Sequence, residues 1–198
     1  MKITNVSYER LELQLLEPYT IAYETVSTAT NFILRLETDG VLVGYGCSAP
    51  DPLLTGMTET EAEEIIKRIV LPYLKGKDPF RYVHILEELR DLAGASRSVL
   101  AMVDMALLDL VSKKAGVPLY QFLGGYREGI ATSITIGIMP VDRVLEKSQE
   151  FVSQGFQILK VKGGVCVEED IEKMLQIRRK FPNVILRFDG NQGYSVEE

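Results

Sequence analysis

The sequence predicts an α+β region followed by a unit in which strands and helices alternate. Residues 2–45 show alternating apolar and polar residues around a turn, which is typical of antiparallel strands. Residues 58–123 show helical periodicity. After about residue 130, strand centres fall near residues 134, 159 and 186. This spacing of about 25–27 residues indicates parallel strands joined by crossover helices.

Residues 2–45 predict a three-stranded antiparallel meander. Leu11, Leu13 and Leu15 alternate with polar residues, which indicates a half-buried strand. Two further apolar strands, at residues 32–36 and 41–45, flank a tight turn at Asp39-Gly40. We expect the polar segment from Pro18 to Thr30 to be a flexible connection between the strands.

Helices are predicted next, from their start and stop signals. A capping box at Thr58–Glu61 begins the first helix. Asp78 is the N-cap of a second helix, which runs to about Ala93, and a third helix runs from Ser96 to Gly116. The alternating elements that follow are strands at 131–138, 156–162 and 184–188, with helices at 140–155 and 167–180. Three parallel strands leave an open edge, and a closed (β/α)₈ barrel takes about 250 residues. We therefore expect this chain to be the front part of something longer.

Composition excludes several classes of function. The chain has 198 residues, a net charge of −6 and a pI near 5.0, which argues against a surface for nucleic acid or anionic membrane. No apolar run approaches the roughly 18 residues of a membrane span, and the start does not resemble a signal peptide. Cys47 and Cys166 do not form a disulfide framework, so we expect a cytoplasmic protein. The single histidine, His84, nearly excludes a histidine-based zinc site or a Ser-His-Asp triad.

A pair of lysines is set into the second of the parallel strands. Lys160 and Lys162 are two residues apart, so their side chains share one face near the strand's C-terminal end. Each ammonium group opposes the charging of the other, which favours a neutral amine that can act as a general base. Two solvated lysines on an edge strand are the alternative, and the spacing alone favours neither interpretation.

Polar residues also occur on the neighbouring strands. Asp189 ends the third strand, and chemistry collects at this end of parallel strands. Its carboxylate suits a hard cation such as Mg²⁺ or Mn²⁺. Taken alone, Asp189-Gly190-Asn191 is more typical of a simple Asx turn. Taken alone, Ser133 and Thr135 of the first strand are more typical of small residues that fill the interior of a barrel.

Gly163 and Gly164 raise the question of a phosphate site at the start of the following helix. The acidic residues Glu168, Glu169 and Asp170 would repel phosphate there, so this interpretation is unfavourable.

These motifs, in this order, resemble the enolase superfamily and its muconate-lactonizing subgroup. The matching segments are residues 118–125 (PLYQFLGG), Lys160-x-Lys162, and residues 189–194 (DGNQGY). Residues 132–138 (TSITIGI) are most similar to the dipeptide epimerases of the L-Ala-D/L-Glu type. The resemblance implies an α+β capping domain over residues 1–125 and, over 126–198, the first βαβαβ portion of a TIM (β/α) barrel, truncated after its third strand.

The resemblance also implies a mechanism: a Mg²⁺-dependent racemase or epimerase, with Mn²⁺ as an alternative metal, removes the proton α to a carboxylate through an enediolate. Lys162 would be the base, and Lys160 would tune it and contact the substrate carboxylate. Asp189 would bind the metal, with Asn191 nearby. Thr135, Tyr19 and Tyr23 would line the substrate pocket, and the segments 18–30 and 50–56 would close over it.

Several alternatives stay open at this stage. The same base and metal chemistry would serve an N-acylamino acid racemase, an o-succinylbenzoate synthase or a muconate cycloisomerase, and a non-catalytic fragment is a further alternative. The resemblance requires two more acidic metal ligands and a second lysine that this sequence does not match. We therefore expect the 198-residue chain alone to be inactive. The full-length protein is expected to be a homo-oligomer that acts on a small carboxylate, a dipeptide in the leading hypothesis.

Overall fold

The structure is a computed structural model, and it describes residues 1–20, 25–94 and 96–197. The chain divides into two compact units. The first contains Met1–Leu13 and Ala29–Tyr126, and the second contains Gln14–Thr28 and Arg127–Glu198. The boundary at residues 125/126 that the sequence suggested stays a prediction.

A three-stranded antiparallel sheet begins the fold, as predicted. Its strands, in the order β1-β2-β3, are β1 (Ile3–Thr20), β2 (Thr25–Thr38) and β3 (Val43–Ser48). Alternate residues of β2, namely Phe32, Leu34 and Leu36, are fully buried. This period of two directs one face of the sheet onto the core of the first unit.

The segment from Pro18 to Thr30 differs from the prediction of a flexible connection. Its described residues belong to strands, because β1 continues to Thr20 and β2 already begins at Thr25. Four of the six residues from 25 to 30 are β-branched, three threonines and one valine, and such side chains favour extended backbone despite a polar composition. The hydroxyl groups of Thr20 and Thr25 are 3.0 Å apart, which links the two strands.

Helices follow in the first unit, and the boundaries that the sequence predicted at Thr58, near Ala93, at Ser96 and at Gly116 are confirmed. The helical elements are α1 (Glu59–Ile65), a π-helical turn (Ile66–Val70), α2 (Leu71–Leu74), a 3₁₀ turn (Pro79–Arg81), α3 (Tyr82–Ala93), α4 (Arg97–Ala115) and α5 (Leu119–Phe122). The capping box of α1 is present, with Thr58 and Glu61 each accepting a hydrogen bond from the other's backbone N–H. Gly116 ends α4 in the left-handed conformation at φ 72°. Buried side chains of α3 and α4 pack with those of β2 in one core.

Parallel strands and helices form the second unit, again as predicted. The elements are β4 (Ile134–Ile136), α6 (Val141–Ser153), β5 (Ile158–Lys162), α7 (Val167–Lys180) and β6 (Ile185–Asp189). The strands pair in the order β4-β5-β6. Ile136, Leu159 and Val161 are buried on one face of this sheet, and they share a core with Val144 of α6 and Ile177 of α7. The opposite face is therefore left for the polar side chains.

Strand β4 is shorter than the predicted 131–138. Only Ile134, Thr135 and Ile136 pair with β5. Beyond the paired stretch, the N–H of Ile138 donates to the carbonyl oxygen of Thr20 in β1 at 3.0 Å, so the chain leaves the parallel sheet there. No helix in the described ranges is long and apolar enough to cross a membrane.

Candidate active site

Strand register brings the predicted site residues to one edge of the parallel sheet. Lys162 of β5 is directly opposite Asp189 of β6, and both are the last residues of their strands. Lys160 lies between Thr135 of β4 and Arg187 of β6. Because side chains alternate along a strand, these residues share the face opposite the apolar core.

The carboxylate of Asp189 lies against both lysines. Its Oδ2 atom is 2.7 Å from Nζ of Lys160 and 2.9 Å from Nζ of Lys162. Lys162 also donates to Oδ1 of Asn191 at 2.9 Å. The Lys162 side chain is only 11% exposed, whereas that of Lys160 is 35% exposed. Lys162 and Asp189 therefore lie on the same face of the sheet, with their charged groups in contact.

The shared carboxylate changes the electrostatic picture that the sequence suggested. Hydrogen bonds from Lys160 and then Lys162 hold the pKa of Asp189 well below its usual range, although partial burial opposes this. Asp189 is therefore a carboxylate at neutral pH, and its negative charge offsets the repulsion between the two ammonium groups. The interpretation of the lysine pair from the sequence left out the charge of Asp189, because Asp189 is 27 residues away from Lys162 in the sequence.

The turn after β6 combines the two interpretations of Asp189-Gly190-Asn191. The backbone N–H of Asn191 donates to Oδ1 of Asp189 at 3.0 Å, which is an Asx-type turn. Asn191 and Gln192 both have positive φ, at 48° and 59°. This left-handed backbone turns the Asn191 side chain to Lys162. The alternative of a simple turn is thus correct locally, and the same carboxylate also serves the lysine cluster.

A cleft of about 640 Å³ lies beside the lysines, along β4. Its polar lining includes Thr20, Thr135, Lys160 and Lys162, and Pro18 of β1 contributes an apolar wall. Thr135 lines this cleft, and its contact with a substrate stays a prediction. The side chain of Tyr19 and the whole of Tyr23 lie outside the described part of the structure. The closure of segments 18–30 and 50–56 over a substrate stays a prediction.

The metal site is the least complete part of the arrangement. Asp189 offers a hard oxygen ligand of the kind that Mg²⁺ binds, and Asn191 offers a second oxygen that Lys162 already contacts. Within residues 1–20, 25–94 and 96–197, no group of three or more His, Cys, Asp and Glu side chains is arranged to hold a metal ion. The described residues thus offer oxygen ligands of the kind that Mg²⁺ takes, and a complete set of acidic ligands is not found among them.

One buried polar cluster was missed in the sequence. Asp170 of α7 is 5% exposed, and its carboxylate accepts hydrogen bonds from the N–H of Gly164 at 2.9 Å and from Nζ of Lys173 at 3.0 Å. The hydroxyl of Tyr194 also donates to Asp170. In the sequence, Asp170 stood out only as one of the acidic residues that would repel phosphate at the start of α7. The sequence did contain one signal for this cluster, the helical spacing of its residues. That spacing places Asp170 and Lys173 on the same face of α7 as buried Ile177.

A comparison with protein families identifies the chain. Residues 4–124 match the family model described as "Mandelate racemase / muconate lactonizing enzyme, N-terminal domain". The chain belongs to this family. It is 42% identical over 199 residues to the L-Lys-D/L-Arg epimerase of Desulforapulum autotrophicum, a match that covers 100% of this chain and 56% of the relative. It is 34% identical to the L-Ala-D/L-Glu epimerase of Bacillus subtilis, with 100% and 55% covered.

Solved structures of relatives have the same fold. A dipeptide epimerase from Enterococcus faecalis V583, complexed with Mg and the dipeptide L-Leu-L-Tyr, superimposes with a TM-score of 0.93 at 35% identity. The match covers 98% of this chain and 55% of that one. The chain therefore spans about half the length of the relatives that it matches, and the resemblance to the enolase superfamily and its dipeptide epimerases is confirmed.

Proposed function

We propose that the intact protein is an isomerase that epimerises a dipeptide by removing the proton α to the free carboxylate. The observation that carries this proposal is the contact of Lys162 and Lys160 with Asp189 at the C-terminal ends of adjacent parallel strands. The relatives support it, because those named above are epimerases that act on dipeptides.

Lys162 has the properties of the base. Its nearly buried side chain is held by Asp189 and Asn191, so the nitrogen has one defined position rather than many. A fixed base lowers the barrier because the proton and its acceptor start in a near-attack geometry. The cleft beside Lys162 gives a substrate access to this nitrogen.

Lys160 and Thr135 are suited to bind the substrate. The Lys160 ammonium lies at the cleft and is more exposed than that of Lys162, so it can attract the free carboxylate of a dipeptide. The same positive charge opposes the build-up of negative charge on that carboxylate as the α-proton leaves. Thr135, on the neighbouring strand, places a hydroxyl group beside Lys160.

Mg²⁺ would be held in part by Asp189, with Asn191 close by, and when bound it would act as a Lewis acid that stabilises negative charge on the substrate carboxylate. The resemblance requires two further acidic ligands outside these residues. It also requires a second lysine there, for the opposite face of the α-carbon. For this reason we expect the 198-residue chain by itself to lack activity.

The test is α-proton exchange in D₂O, followed by proton NMR on the intact protein with Mg²⁺. The panel contains L-Lys-L-Arg, L-Ala-L-Glu, L-Leu-L-Tyr and an N-succinyl amino acid. We expect the α-proton signal of the carboxylate-bearing residue to disappear from at least one dipeptide while the other epimer accumulates, and EDTA to stop both changes. Exchange of the N-succinyl compound alone would favour the N-acylamino acid racemase alternative. Exchange of none of them would contradict the proposal.

A further inference from the structure

Behind the lysine site, the loops that follow β5 and β6 are joined by a second set of contacts. The N–H of Gly163 donates to the carbonyl oxygen of Asp189 at 3.0 Å. Gly163 directly follows Lys162, so this bond connects the backbones of the proposed base and the proposed metal ligand. Any displacement of one loop relative to the other therefore changes the distance between Lys162 and Asp189.

The carboxylate of Asp170 holds both of these loops. It accepts from the N–H of Gly164 in the first loop and from the hydroxyl of Tyr194 in the second. The contact with the first loop is close, since a Cβ added to Gly163 would lie 2.1 Å from Oδ2 of Asp170. The Tyr194 ring stacks on Phe188 of β6, with centroids 6.3 Å apart and planes 10° apart.

The charge state of this cluster is well defined. Burial disfavours the charged form of Asp170, but hydrogen bonds from Tyr194, Gly164 and Lys173 together leave its pKa below the ordinary value. Burial and then the Asp170 carboxylate raise the pKa of Tyr194 to about 12, so its hydroxyl remains a donor at neutral pH. Lys173, 2% exposed, supplies the positive charge that a buried carboxylate needs.

We propose that Asp170 and Tyr194 are positioning residues that hold the loops after β5 and β6 together and so fix Lys162 relative to Asp189. The inference rests on the proposed function, because it assigns these two residues to the same site. They touch neither the cleft nor the proposed base directly, and they act through the Gly163–Asp189 backbone bond. A merely structural role would predict that their loss weakens the whole second unit equally.

The test uses Tyr194→Phe, which removes the hydroxyl and leaves the ring on Phe188. Tyr8→Phe is the matched control, because the Tyr8 hydroxyl also donates to a carboxylate, Oε1 of Glu63 at 2.7 Å, in the first unit. Asp170→Asn is a second variant that keeps the side-chain shape but removes the charge. All are made in the intact protein and examined by amide hydrogen exchange and by steady-state epimerase kinetics.

We expect Tyr194→Phe to lower the exchange protection of the Gly163 amide while amides inside β5 keep theirs. The value of kcat should fall by about 10-fold with little change in KM, which is the order of effect seen when a supporting contact of a site is removed. Asp170→Asn should do the same, and Tyr8→Phe should change neither quantity.

Unchanged Gly163 protection, equal losses throughout β5, or an unchanged kcat in Tyr194→Phe would each overturn the inference. If the wild-type protein has no epimerase activity, the proposed function fails. In that case the Gly163 amide alone decides whether Asp170 and Tyr194 hold the loops.

Discussion

The contact between Gly193 and Gly164 allows a sharp test of how the two loops are packed. A Cβ atom added to Gly193 would lie 2.1 Å from the carbonyl oxygen of Gly164 and 2.7 Å from its carbonyl carbon. Both are backbone atoms, so no side chain can rotate away. To open the first contact from 2.1 to 3.0 Å, which is still tighter than nine in ten real Cβ contacts, the loops must separate by about 0.9 Å.

Gly193→Ala is therefore expected to destabilise the second unit by about 1–3 kcal/mol, the usual cost of forcing extra volume into a packed region. Gly190→Ala is the matched control in the same turn. Its added Cβ would meet nothing closer than the Phe188 ring edge at 3.4 Å, and Gly190 does not have a positive φ. We expect the control to change the free energy of unfolding by less than about 0.5 kcal/mol.

The assay is urea unfolding of the intact protein, combined with hydrogen exchange of peptides from residues 127–197. Gly193→Ala should lower protection in those peptides, most strongly around residues 162–164, and leave peptides of residues 29–126 unchanged. Equal stability of the two alanine variants would refute the packing described for these loops.

Two further predictions concern the charges of the second unit. Asp189→Asn should weaken Mg²⁺ binding in the intact protein and suppress α-proton exchange of both dipeptide epimers, because it removes a metal ligand and leaves the charges of Lys160 and Lys162 unbalanced. Titration calorimetry measures the affinity for Mg²⁺. Wild-type affinity in the variant would contradict the prediction. Asp170 and Asp189 both have a folded-state pKa below the ordinary 3.8, so the stability they contribute is present above that pH and is lost as pH falls towards their folded-state values. The urea concentration at the midpoint of unfolding should therefore decrease as the pH is lowered from 5, and it should decrease less in Asp170→Asn. A midpoint that does not change with pH over that range would refute the charge assignment.

Local signals in the sequence predicted most of the fold. The capping box at Thr58, the glycine at 116 and the alternation of Phe32, Leu34 and Leu36 each determine structure through near neighbours or simple burial, and each appears as predicted. The end of β1 was harder to predict. Its strand character continues to Thr20 among residues whose composition is polar, where pairing with a partner strand outweighs the composition.

The site was predictable as a set of residues but not as a set of interactions. The period of two along β5 places Lys160 and Lys162 on one face, and the spacing of the strands brings Asp189 to the same edge. Strand register brings one carboxylate into contact with both ammonium groups, and the sequence does not define this register. Asp170 was missed for a related reason, since its partners Gly164 and Tyr194 meet it only in the folded unit.

The central claim is that Lys162 removes the α-proton from one face of the substrate. It is tested most directly by following deuterium exchange of both epimers of one dipeptide by the intact Lys162→Ala protein. Lys113→Ala, which removes an ammonium group paired with Asp109 in the first unit, is the control. We predict that Lys162→Ala abolishes exchange of one epimer and stops net epimerisation, while a base on the opposite face still exchanges the other. Undiminished exchange of both epimers by Lys162→Ala would remove Lys162 from the mechanism.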